Sequence, residues 1–203
     1  MYGNGYMNQH MKLCYFHIPK CASMWMRDYL SRLGGTVEHT WVHCNFASHD
    51  LTGYQILILL RDPVVRWISN CPALDKIAEE IQSPMSIDYI FDNLPMWMKD
   101  EHSAPQSDFV AGLDLSNAVF FMCDQNLSRN VEHFLMAQGF NAPAPPYKNV
   151  SERTEQYVKA TQAWQHILDI PRYQQVFRQH FAQDYELIQN ATFYRLGEQD
   201  EMV

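Results

Sequence analysis

Along the chain, short apolar runs alternate with stretches whose apolar residues recur at helical spacing. Lys12–Ile18 (KLCYFHI) is a compact run that predicts a largely buried strand, ended by Pro19. From Ser23 the period changes. Met26, Tyr29, Leu30 and Leu33 fall at i, i+3, i+4 and i+7, one face of a helix, and Gly34-Gly35 supplies its stop. Thr36–Val42 (TVEHTWV) is β-branched and alternating, so it predicts a second strand. Tyr54–Leu60 (YQILILL) is nearly continuous and suits a central parallel strand covered on both faces.

Pro63 fits the first turn of a helix running through Trp67 and Ile68. Pro72 starts a further helix to about Ile81, and Ser86 caps one from Ile87 to about Met98, with Pro95 distorting its end. Lys99–Ser107 is polar and reads as a loop. Asn117–Cys123 (NAVFFMC) is a fourth strand, and Asn126–Gln138 a helix closed by Gly139. Ala142–Tyr147 (APAPPY) predicts a stiff, exposed connector. Two helices follow, Glu152–Asp169 and Arg172–Gln189, with Pro171 at the first turn of the second. Strands that alternate with helices in this way predict an α/β fold, a mostly parallel central sheet flanked by helices. We expect one domain over residues 1–203, with 1–11 a flexible N-terminus and 197–203 a flexible tail.

Composition narrows the function classes. The 203 residues are 47% hydrophobic and 19% charged, enough apolar material for a packed core and too little charge for a disordered chain. A net charge of -8 argues against a general nucleic-acid binder. No apolar run is long enough to span a bilayer, and Met1–Met11 has no basic segment before an apolar one, so a soluble cytoplasmic protein is expected. Five cysteines without CxxC pairs fit a reducing compartment better than a disulfide scaffold or a zinc ribbon. The charge is uneven. Residues 1–70 carry a balance of +2 and the rest -10, which directs the search for an anion site to the first third.

That third holds two motifs. His17-Ile18-Pro19-Lys20-Cys21-Ala22-Ser23-Met24-Trp25 takes a strand through a tight turn with one lysine into a helix. This is the logic of an anion cradle: unpaired N–H groups at the helix start, the macrodipole, and a full charge from lysine. No glycine lies between His17 and Leu33, so the GxxxxGK[ST] loop of ordinary ATP and GTP sites is absent. The second motif, Arg61-Asp62-Pro63-Val64-Val65-Arg66-Trp67-Ile68-Ser69, places an arginine at the carboxyl end of a strand, where open α/β sheets bind ligands. A guanidinium grips a phosphate through paired hydrogen bonds, and Ser69 follows two helical turns on. Arg66 we read as a partner within the helix.

Together these residues resemble the sulfotransferases that use 3′-phosphoadenosine 5′-phosphosulfate (PAPS), nearest the carbohydrate-type branch. Pro19–Trp25 is similar to their 5′-phosphosulfate loop, PK-[ST]-G-[ST]-[ST]-W, with Ala22 in place of the usual glycine and Met24 in place of a hydroxyl residue. Arg61–Ser69 resembles their 3′-phosphate motif, R-[DN]-P-x-x-R-x-x-S, at every fixed position. Weaker resemblances occur at Gln106–Gly112 (QSDFVAG), Tyr147–Arg153 (YKNVSER) and Phe181–Ile188 (FAQDYELI). Residues 72–100 match nothing in the family's pattern.

The resemblance implies a P-loop-like three-layer fold. It implies PAPS bound by Lys20, Cys21, Ala22, Ser23, Met24, Trp25, Arg61 and Ser69, with Lys20 near the leaving-group oxygen; for Trp25 stacking on adenine and packing in the core are both open. The acceptor would be a hydroxyl on a glycan or small metabolite, with no metal required. Sulfuryl transfer also needs a base at the end of a neighbouring strand. His43, after the second strand and expected beside the lysine loop, is our choice, and it resembles the family's H-x-x-F element. Among the nine histidines His17, His39 and His49 are lesser candidates, and Glu101 and His102 lie in the middle loop. Trp41, Trp67, Trp97 and Trp164 read as packing. Cys21, in the anion loop, is a candidate for a lowered thiol pKa. Two other classes compete, a kinase-like nucleotide phosphotransferase and a non-catalytic PAPS- or nucleotide-binding module. The acceptor and the oligomeric state are open.

Overall fold

The computed structural model describes residues 4–34, 40–46, 49–70, 84–99, 101–141, 143–145 and 155–196. They form an α/β structure with one open five-stranded sheet and, among the described residues, nine helices. The chain divides into two compact units. The first contains Met1–Arg61, Asp108–Lys148 and Ala191–Val203, the second Asp62–Ser107 and Asn149–Asn190. Among the described residues no helix is long and apolar enough to cross a membrane.

The first unit holds the sheet. Its strands are β1 (Asn4–Asn8), β2 (Leu13–Phe16), β3 (Val42–Asn45), β4 (Gln55–Leu60) and β5 (Ala118–Met122), in the order β3-β1-β2-β4-β5. The pairs β2/β4 and β4/β5 are parallel, whereas β1 runs antiparallel to both β2 and β3. The sheet is therefore mixed, not mostly parallel as expected. The difference comes from β1, which lies in the stretch read as a flexible N-terminus. Its composition hides it, because asparagine and glycine are poor strand formers. Tertiary context overrides that preference. Asn8 is fully buried, and its side-chain oxygen accepts from Met11 N at 2.9 Å, closing the turn into β2. A methyl group on Gly5 would overlap the Tyr15 carbonyl oxygen and the Phe46 ring, so only glycine lets β1 approach.

The expected second strand, Thr36–Val42, falls mostly on residues outside those described, and β3 begins at its last residue. The run Tyr54–Leu60 does form the buried strand β4. Leu57, Ile58, Leu59 and Leu60 are wholly inaccessible, each contributing about 1.5–3 kcal/mol by burial. Helix α1 (Ser23–Arg32) buries Met26, Tyr29 and Leu30, three residues of the apolar stripe read from the sequence.

The second unit is helical. It contains α2 (Pro63–Ile68), α3 (Pro84–Asp92) and α4 (Leu94–Trp97), and later α7 (Glu155–Leu168), α8 (Pro171–His180) and α9 (Ala182–Asn190). Helix α5 (Gln106–Val110) begins in it and continues into the first unit, where α6 (Leu127–Ala137) follows β5. Helix α5 starts inside the expected Lys99–Ser107 loop. The core of the unit is aromatic, with the Trp67 ring edge-on to Trp164, Phe177 and Phe181 at centroid distances of 6.0 to 6.2 Å.

Two helices expected to be continuous are broken. Pro95 sits in the first turn of α4, where its missing N–H costs nothing, so the Ile87–Met98 segment divides at Asn93. The 172–189 segment divides at Phe181, whose ring stacks on Phe177 at 4.4 Å. The helix expected from Pro72 to Ile81 lies outside the described residues, as do Tyr147–Arg153.

Candidate functional site at the lysine loop

Between β2 and α1 the backbone reverses over six residues. Lys20 (φ 65°) and Ala22 (φ 53°) both occupy the left-handed region, with Cys21 between them. The Cys21 N–H donates to the Ile18 carbonyl at 3.2 Å, and α1 opens with Met26 N on the Ala22 carbonyl at 3.0 Å. Among the described residues no side chain caps this helix, and its first turn has no acidic residue. Left-handed residues ahead of an uncapped helix start turn successive N–H groups toward one side, the arrangement that binds anions. The left-handed state costs a non-glycine residue about 1–2 kcal/mol. Ala22, which stands at the glycine of the resembled motif, therefore keeps the glycine conformation without the glycine.

Arg61 closes the loop from the end of β4. Its Nη1 donates to the Lys20 carbonyl at 3.1 Å, and the side chain is only 9% exposed. The lead residues of the two sequence motifs are thus in direct contact, although Arg61 reaches the lysine through its backbone. On the other side of Arg61 the chain leaves β5 at Cys123, whose N–H donates to the Leu60 carbonyl at 2.8 Å. Burial first, and then the neighbouring Cys21, pushes the Cys123 thiol well above its ordinary value. The Tyr15 hydroxyl is fully buried and has no hydrogen-bond partner among the described residues.

The remaining expected residues distribute as follows. Ser23 and Met24 begin α1, and the Met24 side chain is 66% exposed. Trp25 donates from Nε1 to the Pro145 carbonyl at 2.9 Å and lies 5.7 Å from the Tyr29 ring, so its edge is tied to the proline-rich connector. His43 is not on a strand beside β2. Strand β1 intervenes, and His43 pairs with Tyr6, which pairs with Tyr15. That puts the histidine two strand spacings, about 10 Å, from the strand that carries the loop. The His43 ring is exposed and packs edge-on to Tyr6 at 5.3 Å. His17 directly follows β2, and its N–H donates to the Asn4 carbonyl at 2.9 Å. His49 bonds the Asn45 carbonyl through Nδ1 at 2.8 Å. His39 lies outside the described residues.

Beyond Arg61 the second motif belongs to the helical unit, and each of its fixed positions has a local task there. Asp62 caps α2 by accepting from Val65 N at 3.0 Å, and Pro63 occupies the first turn. Arg66 is buried and donates to the carbonyls of Ala104 at 2.7 Å and Glu101 at 3.5 Å, so it holds the 101–104 segment by its backbone. Ser69 ends the helix, its hydroxyl donating to the Arg66 carbonyl at 2.7 Å.

Tyr15 and Cys123 were missed from the sequence. Each reads as one more apolar residue of a strand, and only the β2/β4/β5 pairing brings them to the loop. One residue past Cys123, a cavity of about 330 Å³ is lined by Asp124, Asn126, Arg129, Phe193 and Arg195 among others. Among the described residues no group of three or more His, Cys, Asp or Glu side chains is placed to hold a metal ion. Comparison with protein-family models, with curated proteins and with solved structures finds no match to this chain.

Proposed function

We propose that the lysine loop binds the 5′-phosphosulfate of PAPS and that the chain transfers the sulfuryl group to a hydroxyl of a glycan or small metabolite. The observation that carries this reading is the loop itself: two left-handed residues ahead of an uncapped helix, one of them Lys20, with Arg61 fixing the Lys20 carbonyl. The residues fit the donor at this end. The N–H groups of Ser23 and Met24 are at the helix start, and the exposed Met24 leaves the approach open. The fit is less direct at the 3′-phosphate, because Arg61 spends one N–H on the loop.

When bound, PAPS supplies an activated sulfuryl group. In this reading the Lys20 ammonium balances charge on the departing phosphate oxygen, and the α1 amides orient the group for in-line displacement. His43 takes the proton of the acceptor hydroxyl, with His17 the comparison because it follows β2 directly. The reading also takes β2–loop–α1 as a P-loop-like unit and expects work in a reducing cytoplasm. The distance of His43 from β2 favours a second reading, a PAPS-binding module without turnover.

Calorimetric titration with 3′-phosphoadenosine 5′-phosphate, in parallel with ATP with and without magnesium, tests the donor. Micromolar binding of the bisphosphate without metal, lost in Lys20→Ala, supports the proposal. No binding, or binding of ATP only with magnesium, moves the kinase-like reading ahead. Turnover on a hydroxyl-acceptor panel, with His43→Ala, His17→Ala and Ser69→Ala compared, separates enzyme from binding module.

A further inference from the structure

We infer that the cavity at the carboxyl end of β5 binds a small phosphate monoester that also carries hydroxyls, a phosphorylated sugar or polyol of monosaccharide size. The inference does not rest on the lysine loop. The cavity opens beyond Met122, the last residue of β5, and none of the described residues that line it is Arg61 or belongs to residues 17–25. Strand β4 separates β5 from the strand that carries the loop. Parallel strands of an open α/β sheet present their ligand sites at this end.

The walls of the cavity are tied to one another. Phe193 bridges Phe120 in parallel, and the Tyr194 N–H donates to the Phe120 carbonyl at 2.8 Å, so this late segment runs on beside β5. The Tyr194 hydroxyl meets His133 Nδ1 on α6 at 2.7 Å, and the Leu196 N–H donates to Asn130 Oδ1 at 3.3 Å across 66 positions of sequence. Arg195 is thus carried between two residues fixed to α6. Arg129, in the first turn of that helix, is the neighbour of Asn130. Two guanidiniums from distant parts of the chain therefore line one cavity of about 330 Å³.

The lining chemistry selects the ligand. One guanidinium fork already saturates the two oxygens of a carboxylate, so two forks suit a group with three oxygens. A phosphate monoester carries close to two negative charges at neutral pH and a sulfate monoester only one, so a pair of cations favours the phosphate. Asp124 is the one acid among the described lining residues. Its Oδ1 accepts from Asn126 N at 2.8 Å, which fixes the carboxylate at the turn into α6. A carboxylate only accepts, so beside the arginines it selects a ligand with O–H donors and disfavours a bare polyanion. The Asn126 amide offers both a donor and an acceptor, and the Phe193 ring, edge-on to Phe120 at 6.4 Å, supplies an apolar wall. Small-molecule sites begin near about 300 Å³, so this volume limits the ligand to about one sugar ring.

Calorimetric titration of the full chain with glucose 6-phosphate, ribose 5-phosphate and glycerol 3-phosphate tests it, with glucose, glucose 6-sulfate and inorganic phosphate as controls. At least one ester should bind once per chain with a Kd below about 1 mM, and at least about tenfold more tightly than each control. Arg129→Gln and Arg195→Gln, both at exposed positions, should each weaken that binding at least about tenfold with unchanged urea midpoints. Lys20→Ala should leave it unchanged, which separates this site from the donor site proposed above. No saturable binding of any ester would overturn the inference, and so would binding that survives both arginine substitutions. Inorganic phosphate or glucose 6-sulfate binding as tightly as the esters would overturn the ligand class. Displacement of the ester by 3′-phosphoadenosine 5′-phosphate, together with loss of binding in Lys20→Ala, would make the cavity part of the donor site and remove it as a site of its own.

Discussion

The Arg61 guanidinium donates from Nη1 to the carbonyl oxygen of Lys20 at 3.1 Å, joining residues 41 positions apart. Arg61→Ala removes a charge-assisted hydrogen bond from a partly buried carbonyl and leaves the lysine loop without its tie to β4. The expected loss of unfolding free energy is about 1.5–3 kcal/mol, measured by urea denaturation. Arg61→Lys keeps the charge but not the planar fork, so it should recover less than half of the loss. A change below 0.5 kcal/mol in Arg61→Ala, on the order of a neutral surface substitution, would show that the loop holds its shape unaided.

Ala22 carries backbone strain that glycine would not, since its φ is 53°. Ala22→Gly should stabilise the protein by about 1 kcal/mol, the relief of the left-handed state less the greater freedom of glycine when unfolded. Ala22→Val should destabilise it by more than that, because β-branching crowds the same conformation. Paired urea midpoints decide it, and a glycine variant no more stable than the parent would show that the strain is absorbed elsewhere.

The strongest elements were legible because their signals are local. The β4 run and the Met26/Tyr29/Leu30 stripe could be read from period alone. Strand β1 was not, since Asn4, Gly5 and Asn8 argue against a strand and only the close approach to Tyr15 makes Gly5 necessary. That omission displaced His43, for without β1 its strand lies next to β2 in any reasonable sheet. The lysine loop and Arg61 were legible as residue types. Their backbone-mediated contact depends on a strand order that no local pattern encodes.

Asp184 is fully buried and accepts four hydrogen bonds, from Gln106 N (2.9 Å), Gln106 Nε2 (3.3 Å), Ser107 N (2.8 Å) and Ser107 Oγ (2.9 Å). Two of the weaker sequence resemblances, at Gln106–Gly112 and Phe181–Ile188, thus meet at one carboxylate that fixes the start of α5. Asp184→Asn replaces an accepting oxygen by a donor facing donors, so at least about 2–3 kcal/mol of stability should be lost. Chemical denaturation measures it. An asparagine variant as stable as the parent would mean that α5 is held by other contacts.

The Tyr15 hydroxyl is buried without a hydrogen-bond partner among the described residues, which sets a desolvation cost against no bond gained. Tyr15→Phe keeps the ring that stacks with Tyr6 at 6.5 Å and removes that cost. An increase in stability of about 1 kcal/mol is expected. A decrease of the same size, again by urea denaturation, would show that the hydroxyl is bonded in solution.

Alkaline pH should weaken the sheet unit through its buried thiols and phenols. Burial first, and then Cys44, pushes the Cys14 thiol from its ordinary 9.0 up to about 12. Burial raises Tyr15, Tyr29 and Cys123 in the same direction. A group whose folded pKa lies above its unfolded value binds its proton more tightly when folded. Its contribution is therefore complete below the unfolded pKa and is lost as pH rises toward the folded one. For Cys14 that window runs from about 9 to about 12. Unfolding free energy should stay level up to about pH 8.5 and then fall, each such group adding a slope of at most about 1.4 kcal/mol per pH unit. Cys14→Ala should lower the slope between pH 9 and 10, before the tyrosines of the unfolded chain ionise, and leave the later fall intact. Urea midpoints at half-unit pH steps measure both curves, and identical slopes in parent and variant would show that the Cys14 thiol ionises as readily in the folded protein as in the unfolded chain.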